Sequence, residues 1–170
     1  RQVRVLTGGN LHPMAAYTLH RGLQTLGIRV HRAQQNAIEL VAHLLRHPAI
    51  ERVRYPGLAE CDPKGLVGTQ LDGPGSIIAV DILGGYEAAQ RVMSGVRLLT
   101  PAVSLGSCDT LIQHPAGLTH RIVAPDARDE GGIGPGLLRL SVGLEDVDDL
   151  WADLSQALER CTLQLALSAK

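Results

Sequence analysis

The run Leu137-Leu138-Arg139-Leu140-Ser141-Val142-Gly143-Leu144-Glu145-Asp146 constrains this chain more than any other segment. Alternation makes it a short strand, with Leu138, Leu140 and Val142 on one face and Leu137, Arg139 and Ser141 on the other. Gly143 ends the strand, and Asp146 then caps a helix, with Asp149 at the third helical position. A guanidinium at the end of a strand, at a sheet's edge, is costly unless an anion meets it. Its planar fork suits a carboxylate. That carboxylate belongs either to an internal Asp or Glu or to a ligand, and this segment alone leaves both open.

The rest of the chain can build a core around that strand. Hydrophobic residues make up 45% of 170 positions, without Phe, so the core must be aliphatic. The formal charge of -1 is spread without a basic stripe, which argues against nucleic acid as the main partner. No apolar run is long enough to predict a membrane span. Cys61, Cys108 and Cys161 are odd in number and form no CxxC, which fits a reducing, cytoplasmic setting. The chain opens at Arg1 with nothing like a signal peptide and is expected to begin inside a longer polypeptide.

Pro13 begins a helix on which Ala15, Leu19, Gly22, Leu23 and Leu26 recur, until Gly27 interrupts. A second helix carries Ala33, Ala37, Leu40, Val41, Leu44 and Leu45 on one face and ends before Pro48. Val53 and Tyr55 form a short strand, and Ser76 to Ile82 a mostly buried one. A helix follows Gly84-Gly85 through Val96. Arg97 to Leu99 and Ala102 to Leu105 read as strand pieces, and Asp109 to His120 as a strand running into a loop at Pro115. The last helix presents Val147, Leu150, Trp151, Leu154, Ala157, Leu158 and Cys161. Helices at both ends with strands between predict an α+β, or mixed α/β, fold.

Beside Arg139, other residues can carry chemistry. Ser104-Leu105-Gly106 is a turn whose serine could donate to a ligand oxygen, though turn serines more often bond their own backbone. No Gly-x-Ser-x-Gly elbow surrounds it, which disfavours a hydrolase nucleophile. His43 and His47 lie four apart on a helix with no third ligand, so they read as residues meeting a helix C-terminus, not as a metal pair. Gly132 to Gly136 precedes a strand and lacks a lysine, which fits a flexible loop better than a phosphate cradle.

Several blocks, in order, carry a resemblance. They are Arg21-Gly22-Leu23-Gln24-Thr25-Leu26, Asn36-Ala37, Tyr55-Pro56-Gly57-Leu58, Ser104-Leu105-Gly106, His114-Pro115-Ala116-Gly117-Leu118-Thr119-His120, Gly132-Ile133 and Arg139 through Asp146. Over essentially its whole length, the chain resembles the C-terminal portion of the Cys/Met-metabolism, or transsulfuration, enzymes. That family holds cystathionine γ-synthase, cystathionine γ-lyase, methionine γ-lyase and homoserine-ester sulfhydrylases.

The resemblance implies the small C-terminal domain of a fold-type I pyridoxal phosphate enzyme. Its mostly antiparallel sheet would be flanked by helices and joined through a long N-terminal linking helix. Residues 1–12 would close a preceding cofactor domain or linker, and residues 13–170 would form the domain that binds the substrate carboxylate. Arg139 would take the α-carboxylate of an amino-acid substrate. Ser104 would bond that carboxylate or the catalytic lysine, and Thr119 would support the arginine. Val103 stands where an acidic residue accompanies enzymes of cystathionine; an apolar one resembles methionine γ-lyases. Ala33 departs from a frequent histidine, and Arg4-Val5-Leu6 from the Lys-Asp-Met of methionine γ-lyases.

The family's lysine lies in a Ser-x-Thr-Lys segment that is absent here. Lys64 sits in an Asp-Pro-Lys-Gly turn and Lys170 ends the chain, so no Schiff-base lysine is expected. The phosphate-binding glycines and the ring-stacking aromatic are missing as well. The expected activity of the parent is γ-elimination from methionine or cystathionine-like substrates, in a homotetramer, with the cofactor held by the N-terminal domain. The alternatives are γ-replacement on a homoserine ester and, in another class, a non-catalytic interaction module.

Overall fold

A computed structural model describes residues 2–168. Its centre is a five-stranded sheet made of β1 (Ile50–Arg54), β2 (Ile77–Ile82), β3 (Thr100–Pro101), β4 (Leu111–Gln113) and β5 (Leu137–Ser141). The spatial order is β1-β2-β5-β4-β3, antiparallel throughout except for the parallel β3–β4 pair. Six helices accompany the sheet: α1 (Gln2–Leu6), α2 (Pro13–Leu23), α3 (Leu26–Leu44), α4 (Gly85–Gly95), α5 (Pro125–Glu130) and α6 (Val147–Ser168). The architecture is the mixed α+β one that the alternation of patterns implies. No helix among the described residues is long and apolar enough to cross a membrane.

One face of the sheet is the core. Val53, Ile78, Val80, Ile82, Ile112, Leu138, Leu140 and Val142 pack there with Ala37, Leu40, Val41 and Leu44 of α3 and Ala88, Ala89 and Val92 of α4. Leu150, Leu154, Ala157, Leu158 and Cys161 of α6 close the cluster, with Val147 and Trp151 packed against it. Asp146 caps α6 by accepting from the N–H of Asp148 at 3.0 Å. His43 stacks on Trp151 at 4.9 Å, and His47 meets the same ring edge-on at 5.9 Å, so both histidines join α3 to α6.

Several expectations change. The helix break lies at Gln24 and Thr25, and Gly27 is already inside α3. Arg29 explains the position: its guanidinium donates to Thr25 Oγ1 and to the Gly22 carbonyl that α2 leaves unsatisfied. Leu45 falls past the end of α3 and is exposed. Arg97 to Leu99 is no strand, because its three N–H groups donate to the Asp153 carboxylate on α6, at 2.8–3.0 Å. Only Thr100–Pro101 pairs with the sheet, and Val103, Ser104 and Leu105 lie in an exposed loop. The strand expected from Asp109 shrinks to Leu111–Gln113, since Pro115 opens a short 3-10 turn. Helix α5, with Pro125 at its start and Asp126 in its first turn, was not anticipated.

The glycine-rich loop before β5 is pinned, not free. The Pro135 carbonyl accepts from His114 Nε2 at 2.7 Å, and the Gly136 carbonyl accepts from the N–H of Ile82 at 2.9 Å. A side chain on Gly136 would stand 2.6 Å from the Ile82 carbonyl, so close backbone approach requires the glycine.

Among the described residues Asp153 is the sole acceptor for three consecutive N–H groups, so Asp153→Ala should cost on the order of 3 kcal/mol in urea unfolding. A loss below about 1 kcal/mol would show that water replaces the carboxylate.

Acid should also weaken the fold. Burial pushes His114 below the ordinary value of 6.5; the hydrogen bond to the Pro135 carbonyl opposes this, and the nearby Arg128 charge adds to it. Burial lowers His47 too, and its Nδ1 accepts from the Ala49 N–H, which only a neutral ring can do. Both folded-state values lie below the unfolded one. Their stabilisation is therefore complete above 6.5 and fades as pH falls through the lowered values. Asp81, raised from its ordinary 3.8 mainly by burial, acts with opposite sign. Urea midpoints measured between about pH 7.5 and 5.5 should fall; a level profile would mean that protonation of both rings is tolerated.

Candidate functional site

Arg139 is the middle residue of β5, and β5 is the central strand of five. The expectation of a strand end at a sheet's edge is therefore corrected: the arginine stands between Ala79 of β2 and Gln113 of β4. It lies on the face opposite the aliphatic core, as the alternation requires. The small Ala79 leaves lateral room, while Gln113 fills the other side.

Among the described residues no Asp or Glu pairs with Arg139; the ion pair they form is Arg54–Asp81, at 2.8 Å. The guanidinium is half-buried. Its Nη2 donates to the main-chain oxygen of Ser104 at 2.8 Å, and its Nε is buried with no partner. Ser104 thus touches Arg139 through its carbonyl, and the exposed hydroxyl makes no hydrogen bond among the described residues. Gly106, at φ +78°, turns the chain back so that its N–H donates to Ser141 Oγ at 2.9 Å. That bond ties the Val103–Gly106 loop over β5. Val103 is 62% exposed and Leu105 58%, so the loop presents apolar side chains outward beside the arginine.

Thr119 does not contact Arg139 directly. Its Oγ1 accepts from Gln113 Nε2 and lies 2.9 Å from His120 Nδ1. Gln113 is the cross-strand partner of Arg139, and the sequence pattern marks it only as part of a strand. The signal available was an amide directly after the apolar pair Leu111-Ile112. Arg139 is therefore bonded to Ser104 through a carbonyl, while Thr119 is bonded to Gln113, the cross-strand neighbour of Arg139.

The exit of β5 is fixed by a second network. Asn36 of α3 donates to the Gly143 and Glu145 carbonyls at 3.0 and 2.8 Å. The Glu145 carboxylate accepts from the N–H and hydroxyl of Thr110, and Thr110 Oγ1 in turn accepts from the Gly143 N–H. Buried polar groups connected in this way set the direction of the strand that carries Arg139. Together these groups can bind and orient a planar anion.

Among the described residues, none fits the lysine that would hold pyridoxal phosphate. Lys64 lies in an exposed turn whose backbone is held by the Asp62 carboxylate, accepting from Leu66 and Val67. Lys170 lies outside the described residues.

Residues 1–159 match the Cys/Met metabolism PLP-dependent enzyme family. Among curated relatives, an L-methionine γ-lyase from Brevibacterium sandarakinum is 55% identical over 94% of this chain and 39% of its own length. Another from Streptomyces avermitilis is 51% identical over 93% of this chain and 34% of its own length. A crystal structure of a cystathione γ-lyase from Micromonospora echinospora superposes with a TM-score of 0.86 at 41% identity, covering 93% of this chain and 41% of that one. A cystathionine γ-synthase from Xanthomonas oryzae, in complex with aminoacrylate and cysteine, gives 0.82 at 38% identity, covering 89% and 39%. The chain thus spans about two fifths of the length of such relatives. With this sheet, this arginine and a match across nearly all of its residues, the chain belongs to the Cys/Met-metabolism family of PLP-dependent enzymes.

Proposed function

We propose that this chain is the substrate-carboxylate-binding part of a carbon–sulfur lyase that removes the γ-substituent of methionine or a related amino acid. One observation carries the reading: a half-buried guanidinium in the central strand has no acidic partner among the described residues. A charge held there by structure alone would be costly without a counter-ion. The α-carboxylate of an amino acid supplies one, and its two oxygens match the guanidinium fork. The methionine γ-lyases among the relatives support the same chemistry.

In this reading Arg139 binds the carboxylate and so fixes the orientation of the amino acid. Ser104 holds the arginine through its carbonyl and keeps its hydroxyl for the ligand or for the enzyme's lysine. Thr119 supports the arginine at one remove. Val103 faces the far end of the substrate, where an aliphatic side chain suits a thioether and offers nothing to a distal ammonium. With methionine and one water the products are methanethiol, 2-oxobutanoate and ammonia.

Residues 13–170 form the carboxylate-binding domain and residues 1–12 lead out of a cofactor domain or linker. The pyridoxal phosphate, its lysine and the proton transfers belong to the rest of the full-length enzyme, which works as a homotetramer. The synthase among the structural relatives favours one alternative, γ-replacement on a homoserine ester. Methanethiol and 2-oxobutanoate from methionine alone identify the lyase.

In the full-length enzyme containing this segment, Arg139→Ala should raise KM for L-methionine by about a hundredfold, with cofactor absorbance intact. An unchanged KM would overturn the carboxylate assignment. The 170-residue chain itself, mixed with pyridoxal phosphate and desalted, should retain no visible absorbance. A retained yellow band would place the cofactor on this chain.

A further inference from the structure

We propose that Gln113 is a positioning residue that sets the angle of the Arg139 guanidinium and couples it to Thr119. This rests on the carboxylate reading of Arg139. Gln113 and Arg139 are register partners on adjacent antiparallel strands, so their side chains share a face as nearest neighbours. Gln113 is 2% exposed, and the two residues before it, Leu111 and Ile112, are buried. A primary amide in so dry a place is costly unless both its ends are used.

One end is used in the structure: Nε2 donates to Thr119 Oγ1. The other end, Oε1, is buried with no partner, and so is Arg139 Nε. An orphaned acceptor and an orphaned donor thus stand on facing residues of one sheet face. A rotation of the Gln113 amide that brings Oε1 onto Nε–H would satisfy both together. It leaves Nη1 and the second Nη2 hydrogen for the carboxylate, since Nη2 already donates to the Ser104 carbonyl. Gln113 and Ser104 then hold two sides of the guanidinium plane, and the third side faces the ligand. Thr119, bonded to His120 Nδ1, fixes the far end of the glutamine. The alignment of the fork is set before the substrate arrives, and this lowers the entropy lost on binding.

The test uses the full-length enzyme with L-methionine. Gln113→Leu keeps the bulk and removes both amide atoms. It should raise KM by about tenfold and leave kcat within about twofold, with the thermal midpoint and cofactor absorbance unchanged. Gln113→Glu puts a competing carboxylate beside the guanidinium and should raise KM further, by about a hundredfold. Thr119→Val alters an exposed residue and does not challenge folding; it should raise KM by about threefold and be less than additive with Gln113→Leu. An unchanged KM in Gln113→Leu, or a lowered thermal midpoint with a matching fall in kcat, overturns the proposal. If Gln113→Leu does not fold, an unchanged KM in Thr119→Val overturns it instead. Arg139→Ala separates the two layers. A raised KM there beside a silent Gln113→Leu sinks only the positioning role, whereas an unchanged KM there sinks the carboxylate reading itself.

Discussion

An unneutralised guanidinium in the middle of a sheet is the constraint around which this chain is arranged. Arg139 cannot leave the central strand without breaking ladders to both neighbours, and no carboxylate among the described residues compensates its charge. The surrounding groups make that position tolerable without cancelling it. The Ser104 carbonyl takes one donor, Ala79 leaves space, and Gln113 shields the other flank. A neutral acceptor costs less to bring near a cation than a second buried ion would, and it leaves the charge for a ligand.

The surrounding fold makes this position rigid. Aliphatic residues on the opposite face of β5 anchor the strand to α3 and α4, and the Asn36–Gly143–Glu145–Thr110 network fixes where it ends. The loop that carries Ser104 is tied by a main-chain donor to Ser141, two residues along β5 from the arginine. Loop and strand therefore move together, which a binding site assembled from distant segments needs. Most of the chain is spent on holding a few groups in place.

The parts of this design legible in the sequence are those with strong local signals. The face alternation of Leu137 to Val142, the Asp146 cap and the apolar stripe from Val147 to Cys161 follow from periodicity and capping alone. Arg139, Ser104 and Thr119 could be singled out by their company in ordered motifs. The missed features depend on partners far away in the chain. Arg97 to Leu99 has strand-like residues, but the Asp153 carboxylate takes its donors. The helix break moved to Thr25 because Arg29 reaches back to Gly22. Gln113 gained its meaning only when the register set it opposite Arg139. Strand order, which turns an expected edge into a centre, has no local signature in 170 residues.

The first two helices, unlike α3 and α4, bury no residue. α2 spans 11 residues and buries none of them, and its Ala15, Leu19 and Leu23 line an open groove of about 620 Å³ with Gly22, Leu26 and Arg29. So short a helix, with none of its residues buried, lies at the margin of what holds its shape in water. Its order is conditional, borrowed from whatever apolar surface lies against it, whereas the segment from Ala33 onward carries its own reason to stay folded.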